Sequence, residues 1–214
     1  MVSSKPEKYS FGTEILRKLV HLNGIYLVLL YEFFGKILTL GVLTVALVIA
    51  LEAEYFRIEW EKNIPLFDVL FRQKEEKTLG GHVFLAIGAI IVISVFSKEV
   101  AQLAILMAVV GDAAAAIFGR AYGRHFIPGL KGKAIEGVFA EFVADIIIGI
   151  VYFVLFCGGI GSMWWVVLVM MAFSATITET VCSRMDDNLL VPVFCGFTGE
   201  MLVVLLGISS IIII

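Results

Sequence analysis

Residues 99–118 read EVAQLAILMAVVGDAAAAIF, and only Glu99 and Asp112 carry a charge in this stretch. An α-helix of about 20 residues crosses the ~30 Å hydrocarbon layer of a bilayer. Similar apolar stretches flank this one, at about residues 15–34, 37–57, 78–97, 135–157, 163–183 and 189–213. Backbone polar groups must be paired within lipid, so such stretches form helices. The sequence therefore predicts an all-α polytopic membrane protein, with seven transmembrane helices in a single domain of residues 1–214.

The composition of the whole chain agrees with a membrane environment. Of 214 residues, 60% are hydrophobic and 16% are charged, and the mean hydropathy is +1.01, whereas a soluble domain has about 25% charged residues. The net charge of −3 does not suggest nucleic acid as a partner. Three cysteines without a C-x-x-C pair predict neither a disulfide framework nor a zinc site. The polar, basic start and the missing cleavage site predict that no signal peptide is removed.

Lysine and arginine are distributed unequally between the two sides that seven spans define. Of the 16 basic residues, only Lys36 and Lys98 fall on one side. The other side receives the N-terminus and the two longer loops, at about residues 57–77 and 119–134. Cytoplasmic loops collect Lys and Arg. The asymmetry therefore predicts that the N-terminus and both of these loops face the cytoplasm.

Several acidic residues lie within or next to the predicted spans, where each charge costs roughly 2.5–3.5 kcal/mol at the helix centre. Those near the predicted cytoplasmic ends can converge on one polar cavity, because consecutive spans meet there. Their hard carboxylate oxygens, with no cysteine or paired histidines among them, favour Mg²⁺ or Ca²⁺ over zinc. The predicted ligands of this divalent cation are Asp112, Glu141, Glu179, Asp186 and Asp187.

Glycines and basic residues follow Asp112 in GDAAAAIFGRAYGR, residues 111–124, and in KGKAIEG, residues 131–137. Glycine lets a backbone approach a ligand closely, arginine binds phosphate through two hydrogen bonds, and a helix N-terminus attracts anions. Carboxylates for a metal beside basic groups for phosphate suit phosphoryl or nucleotidyl transfer. The predicted nucleotide or phosphate ligands are Gly111, Gly119, Arg120, Gly123, Arg124, Lys131, Lys133, Glu136 and Gly137.

These two segments resemble the signature of the CTP-dependent lipid kinases. That family includes dolichol kinase, the yeast-type diacylglycerol kinase and phytol kinase, and is related to the CTP:phosphatidate cytidylyltransferases. The resemblance covers most of the chain, because further motifs follow in the family's order. These are Arg17-Lys18-x-x-His21, Glu52 with Arg57, residues 76–81, Glu179, and Asp186-Asp187-Asn188. One departure is Ala134, where the family often has a hydroxyl residue after the lysine.

The resemblance implies a transmembrane catalytic domain that uses CTP and a divalent cation to phosphorylate a membrane lipid alcohol at the cytoplasmic face. The alcohol would be of the dolichol or polyprenol type, or phytol, geranylgeraniol or diacylglycerol. Asp112 would be a metal ligand or, as a second choice, the general base. Arg17, Lys18 and His21 would belong to the catalytic site, where Arg17 and His21 share a helix face and can hold phosphate or help to deprotonate the alcohol.

Structural interpretations of the same residues remain open at this point. Arg120 and Arg124 can be anchors at the end of a span, and Gly119 and Gly123 can serve helix packing. Glu136 can stabilise a helix start, as can one residue of Asp186-Asp187-Asn188. Two other functions also remain. A cytidylyltransferase would make a CDP-lipid and release pyrophosphate, and a cation- or proton-coupled transporter would also keep acids within its spans.

Overall fold

The computed structural model describes residues 22, 24–60, 79–130, 132–182 and 185–208. In this part of the chain there are six α-helices and an isolated β-bridge between Phe126 and Ala134. Five of the helices are long and apolar enough to cross a membrane, and α2 is a shorter apolar helix. The prediction of an all-α polytopic membrane protein is confirmed. The helices are α1 (Gly24–Trp60), α2 (Gly81–Val95), α3 (Lys98–Tyr122), α4 (Ile135–Phe156), α5 (Trp164–Val181) and α6 (Asp187–Leu205).

Helix α3 occupies the centre of the bundle. All of its residues from 99 to 109 are buried, and it contacts each of the other five described helices. This helix contains the apolar stretch of residues 99–118. Over residues 99–109 its surroundings are protein on all sides instead of lipid.

Helix α6 packs parallel to α2 and antiparallel to α3. A methyl group on Gly88 of α2 would lie 3.0 Å from the carbonyl oxygen of Asn188, near the start of α6. Further along α6, a methyl group on Gly199 would lie 2.9 Å from Val100, near the start of α3. Glycine permits this close approach of helix backbones, which is a common means of packing in membranes. It follows that α2 and α3 are antiparallel to each other.

The first segment of α1, residues 24–34, runs antiparallel to α3. The side chain of Gln102 donates a hydrogen bond to the carbonyl oxygen of Val28 at 3.3 Å. One turn further along α1, Lys98 donates to Glu32 at 2.9 Å. Rising residue numbers in this segment therefore match falling numbers in α3.

The second segment of α1, residues 36–60, runs antiparallel to α2. Lys36 donates to the carbonyl oxygen of Ser94 at 2.8 Å, and Glu54 lies 3.4 Å from the ring of His82. Between the two segments the backbone leaves the helical conformation at Gly35 (φ 77°, ψ 177°), which glycine tolerates. The chain therefore reverses direction at Gly35, and the two segments overlap the first two predicted spans, at about 15–34 and 37–57. With α1 counted as two segments, the described residues contain seven helical segments that alternate in direction.

Glu200 shows how an acid within a span is accommodated at the end of the bundle where α3 begins. Its Oε2 accepts hydrogen bonds from the backbone N–H of Ser97 at 2.9 Å and from the hydroxyl of Ser97 at 2.8 Å. Ser97 is the residue before α3, and its own side chain forms no capping bond to that helix. A carboxylate of α6 thus satisfies a backbone donor at the start of α3, where helices need such partners.

We expect Glu200→Ala to lower the free energy of unfolding by about 1–2 kcal/mol, as the loss of other helix caps does. Glu200→Gln keeps an acceptor oxygen and should recover at least half of that loss. Thermal or denaturant unfolding in detergent micelles measures both variants. Equal stability of the wild type and Glu200→Ala would show that this contact contributes nothing to the fold.

Candidate active site

Four carboxylates converge at the end of the bundle where α3 and α5 finish and α4 and α6 begin. Asp112 comes from α3, Glu141 from α4, Glu179 from α5 and Asp187 from the first turn of α6. Because successive helices alternate in direction, these positions lie at the same end of the bundle. They share a small cleft that is lined by Ala108, Asp112, Glu141, Glu179, Asp187, Asn188 and Val191.

Three of these acids are arranged as a cation would require. One carboxylate oxygen from each of Asp112, Glu179 and Asp187 lies within 4.8 Å of those of the other two. Oxygen ligands lie about 2.0–2.6 Å from Mg²⁺ or Ca²⁺, so opposite ligands of one ion are about 4–5 Å apart. In addition, Oε2 of Glu179 is buried without a hydrogen-bond partner, which is costly unless an ion or a proton satisfies it. The donor set and spacing therefore fit a hard divalent cation.

Lys133 lies directly beside this cluster. Its Nζ donates to Oε1 of Glu179 at 2.6 Å. Burial alone would lower the pKa of Lys133, but attraction by the carboxylates of Glu179, Asp187 and Glu141 outweighs it and raises the pKa. The lysine is therefore positively charged at neutral pH. A positive charge beside a cation site is an arrangement that suits a phosphate chain.

The loop between α3 and α4 forms a narrow hairpin that holds Lys133 at its base. Ile127 donates its backbone N–H to the carbonyl of Lys133 at 3.0 Å, and Ile135 donates to that of His125 at 2.9 Å. The carboxylate of Glu136 accepts from the backbone N–H of His125 and lies 2.7 Å from its ring Nδ1. Glu136 therefore closes the hairpin and does not line the cleft.

Two of the predicted site glycines lie where α3 and α4 cross. A methyl group on Gly137 would come within 2.9 Å of the carbonyl oxygen of Ala115 and 3.0 Å of Gly119 Cα. These neighbours are backbone atoms and cannot turn away. Gly123 ends α3, and its N–H donates to the carbonyl oxygen of Gly119 at 3.1 Å. Helix contact thus accounts for Gly119 and Gly137, and the helix end for Gly123, whereas their predicted role in nucleotide binding stays a prediction.

Gly111 has a different neighbour, the carboxylate of Asp145. This acid lies one turn beyond Glu141 on α4, is fully buried, and has no hydrogen-bond partner for either oxygen. Its oxygens are in contact with the position that a side chain at 111 would take. Glycine before Asp112 is therefore needed to admit a second layer of acid behind the cleft. The sequence analysis did not include Asp145 among the site residues.

The remaining predicted site residues divide into three groups. Arg120 and Arg124 lie at the end of α3 with exposed side chains, on the same end of the bundle as the cleft. Asp186 caps α6, because its Oδ1 accepts from the backbone N–H of Asn188 at 3.0 Å. Four further residues lie outside the described part of the chain, namely Arg17, Lys18, His21 and Lys131.

Sequence comparison relates the chain to two curated fungal enzymes, both named CTP-dependent diacylglycerol kinase 1. The one from Schizosaccharomyces pombe is 27% identical over 200 residues, which are 87% of this chain and 92% of that protein. The one from Eremothecium gossypii is 33% identical over 110 residues, which are 49% of this chain and 34% of that protein. These matches support membership of the CTP-dependent lipid kinase family.

Other comparisons add little to this assignment. An uncharacterized protein of Rickettsia prowazekii is 28% identical over 198 residues, which are 88% of this chain and 93% of that protein. No family model matches the chain, and no solved structure matches it.

One feature next to the cleft was missed by sequence reasoning. Pro192 lies within α6, four residues after Asn188. Proline has no N–H, so it cannot donate the usual helical hydrogen bond to the carbonyl of Asn188. That carbonyl belongs to a residue that lines the cleft. In the sequence, a proline four residues after the last acidic motif indicates that the start of this helix lacks one backbone hydrogen bond.

We expect Asp187→Asn to weaken binding of Mn²⁺, used as a paramagnetic probe, by at least about tenfold, because even indirect partners of metal sites contribute that much. Asp186→Asn is the matched control. Its carboxylate already accepts from Asn188, so we expect a change of less than about twofold. Electron paramagnetic resonance of the purified full chain measures free Mn²⁺. Equal weakening by both substitutions would contradict the assignment of Asp187, and not Asp186, to the cation.

Proposed function

We propose that this protein is a CTP-dependent lipid kinase that transfers the γ-phosphoryl group of CTP to the hydroxyl of a membrane lipid alcohol. The observation that carries the proposal is the group of Asp112, Glu179 and Asp187 beside Lys133, in a chain related over most of its length to such kinases. CDP would leave, and the lipid would leave as its monophosphate.

The residues of the cleft match the needs of this transfer. A bound divalent cation would neutralise and orient the phosphates, and Asp112, Glu179 and Asp187 would hold it. Lys133 would bind phosphate oxygens, with Arg120 and Arg124 at the end of α3 contributing further positive charge. Glu141 lines the same cleft, so it can complete the coordination. The predicted catalytic roles of Arg17, Lys18 and His21 belong to the proposal as well.

The proposal names a set of lipid alcohols as candidate substrates. The names of the two fungal relatives favour diacylglycerol as the first substrate to test. The dolichol or polyprenol type preferred from the sequence, together with phytol and geranylgeraniol, forms the rest of the panel. In each case the hydroxyl would come from the bilayer while the nucleotide comes from water. Because Lys and Arg cluster on the side of the cleft, we place it at the cytoplasmic face.

The proposal predicts that purified protein with Mg²⁺ and γ-labelled CTP transfers label to at least one alcohol of the panel. Asp112→Asn should lower the turnover by about a hundredfold or more, as the loss of one stabilising hydrogen-bond donor in other active sites does. Glu200→Gln is the control, because Glu200 lies at the opposite end of the bundle. Thin-layer chromatography of the labelled lipids measures both.

The products separate this proposal from a cytidylyltransferase. A kinase releases CDP, whereas a cytidylyltransferase acting on a lipid phosphate releases pyrophosphate and keeps CMP on the lipid. Absence of labelled lipid with every alcohol, together with pyrophosphate release from a lipid phosphate, would replace the kinase with that enzyme.

A further inference from the structure

The ammonium group of Lys133 contacts one of the carboxylates proposed to hold the divalent cation. Its Nζ is 2.6 Å from Oε1 of Glu179, and Glu179 is one of the three proposed ligands. The second oxygen of Glu179, Oε2, is buried and has no hydrogen-bond partner. One buried carboxylate thus faces both a lysine of the chain and the proposed metal position.

The charges of the cleft make these two cations competitors. Four carboxylates line it, and like charges at short range in a poorly polar medium repel strongly. Lys133 offsets part of this repulsion at Glu179. Once a divalent cation is bound to the same carboxylate, the lysine gains less there. The anionic phosphates of a nucleotide then become its better partner.

The backbone of Lys133 is fixed while its side chain can turn. The hairpin holds its carbonyl through the N–H of Ile127, and Ala134 is bridged to Phe126. In contrast, the lysine side chain is 31% exposed, whereas that of Glu179 is 5% exposed. A four-carbon stem with a compact charge reaches several positions by rotation alone. An exchange of partners therefore requires no movement of a helix.

We propose that Lys133 is an exchangeable occupant of the cation site, bound to Glu179 in the metal-free protein and transferred to phosphate oxygens of CTP when the divalent cation binds. This inference rests on the proposed function, because it takes CTP with a divalent cation as the ligand. Its consequence is mutual dependence. The cation is held weakly without the nucleotide, and the nucleotide is held weakly without the cation.

Binding of CTP in excess EDTA tests the exchange without any metal. Glu179→Gln removes the partner of Lys133 and frees the lysine for phosphate, so we expect CTP to bind about fivefold more tightly than to the wild type, the equivalent of one modest ion pair. Glu141→Gln is the matched control. It replaces another carboxyl group of the same cleft but leaves the Lys133–Glu179 bond, so we expect less than about twofold. Isothermal titration calorimetry on the full chain in detergent measures both.

The same substitutions in a Lys133→Met background isolate the role of the lysine. There we expect Glu179→Gln to have no larger effect than Glu141→Gln. An independent measurement uses Mn²⁺ without nucleotide, which should bind about fivefold more tightly to Lys133→Met than to the wild type.

Three results would overturn the exchange. These are equal effects of Glu179→Gln and Glu141→Gln on CTP binding, a tightening by Glu179→Gln that persists without Lys133, and unchanged Mn²⁺ binding in Lys133→Met. A wild-type protein that binds no CTP even with Mg²⁺ would instead contradict the proposed function itself.

Discussion

Mutual repulsion among carboxylates at one end of an apolar bundle is the constraint on which the rest of this structure depends. Asp112, Glu141, Asp145, Glu179 and Asp187 come from four helices and approach one another where little water is available. Each would be well solvated in an unfolded chain, so their convergence costs free energy that helix packing must offset. A fold retains such an arrangement when something positively charged is bound there. Lys133 provides part of that charge, and a divalent cation would provide more.

At the opposite end of the bundle, polar side chains are hydrogen-bonded to one another. Glu32 accepts from Lys98 and Gln102, Gln102 in turn accepts from the hydroxyl of Tyr152, and Glu200 accepts from Ser97. These groups pair with one another and leave no need for a ligand. At the cleft, however, oxygens of Asp145 and Glu179 are buried without partners. The pairing of the acids is therefore more informative than their number. We expect binding and chemistry at the end of the bundle where buried carboxylate oxygens have no partner.

Much of the fold follows from the sequence because the bilayer permits few solutions. The lengths of the apolar stretches predicted the bounds of α4 and α5 to within a few residues. The reversal at Gly35 also lies between two predicted spans. Alternation of the helices then brings Asp112, Glu141 and Glu179 to one end without further information. The partner of each residue is a different matter. Lys133 and Glu179 are 46 positions apart, and no local pattern indicates that they meet. The sequence predicts Glu136 as a site residue, but in the hairpin its carboxylate contacts His125.

The acids lie at different depths in the bundle, and this explains how a nucleotide and a lipid could use one cleft. Asp187 stands at the very start of α6 and is partly exposed, Glu141 is buried one and a half turns into α4, and Asp145 lies a full turn deeper. Under the proposed function, a water-soluble nucleotide would reach the shallow end, where Lys133 and the arginines at the end of α3 lie. A lipid cannot leave the bilayer without exposing its chains to water, so its hydroxyl would approach from the deep side. Gly111 is small because the acid layer continues behind Asp112, and the reacting atoms of the two substrates would meet between these layers.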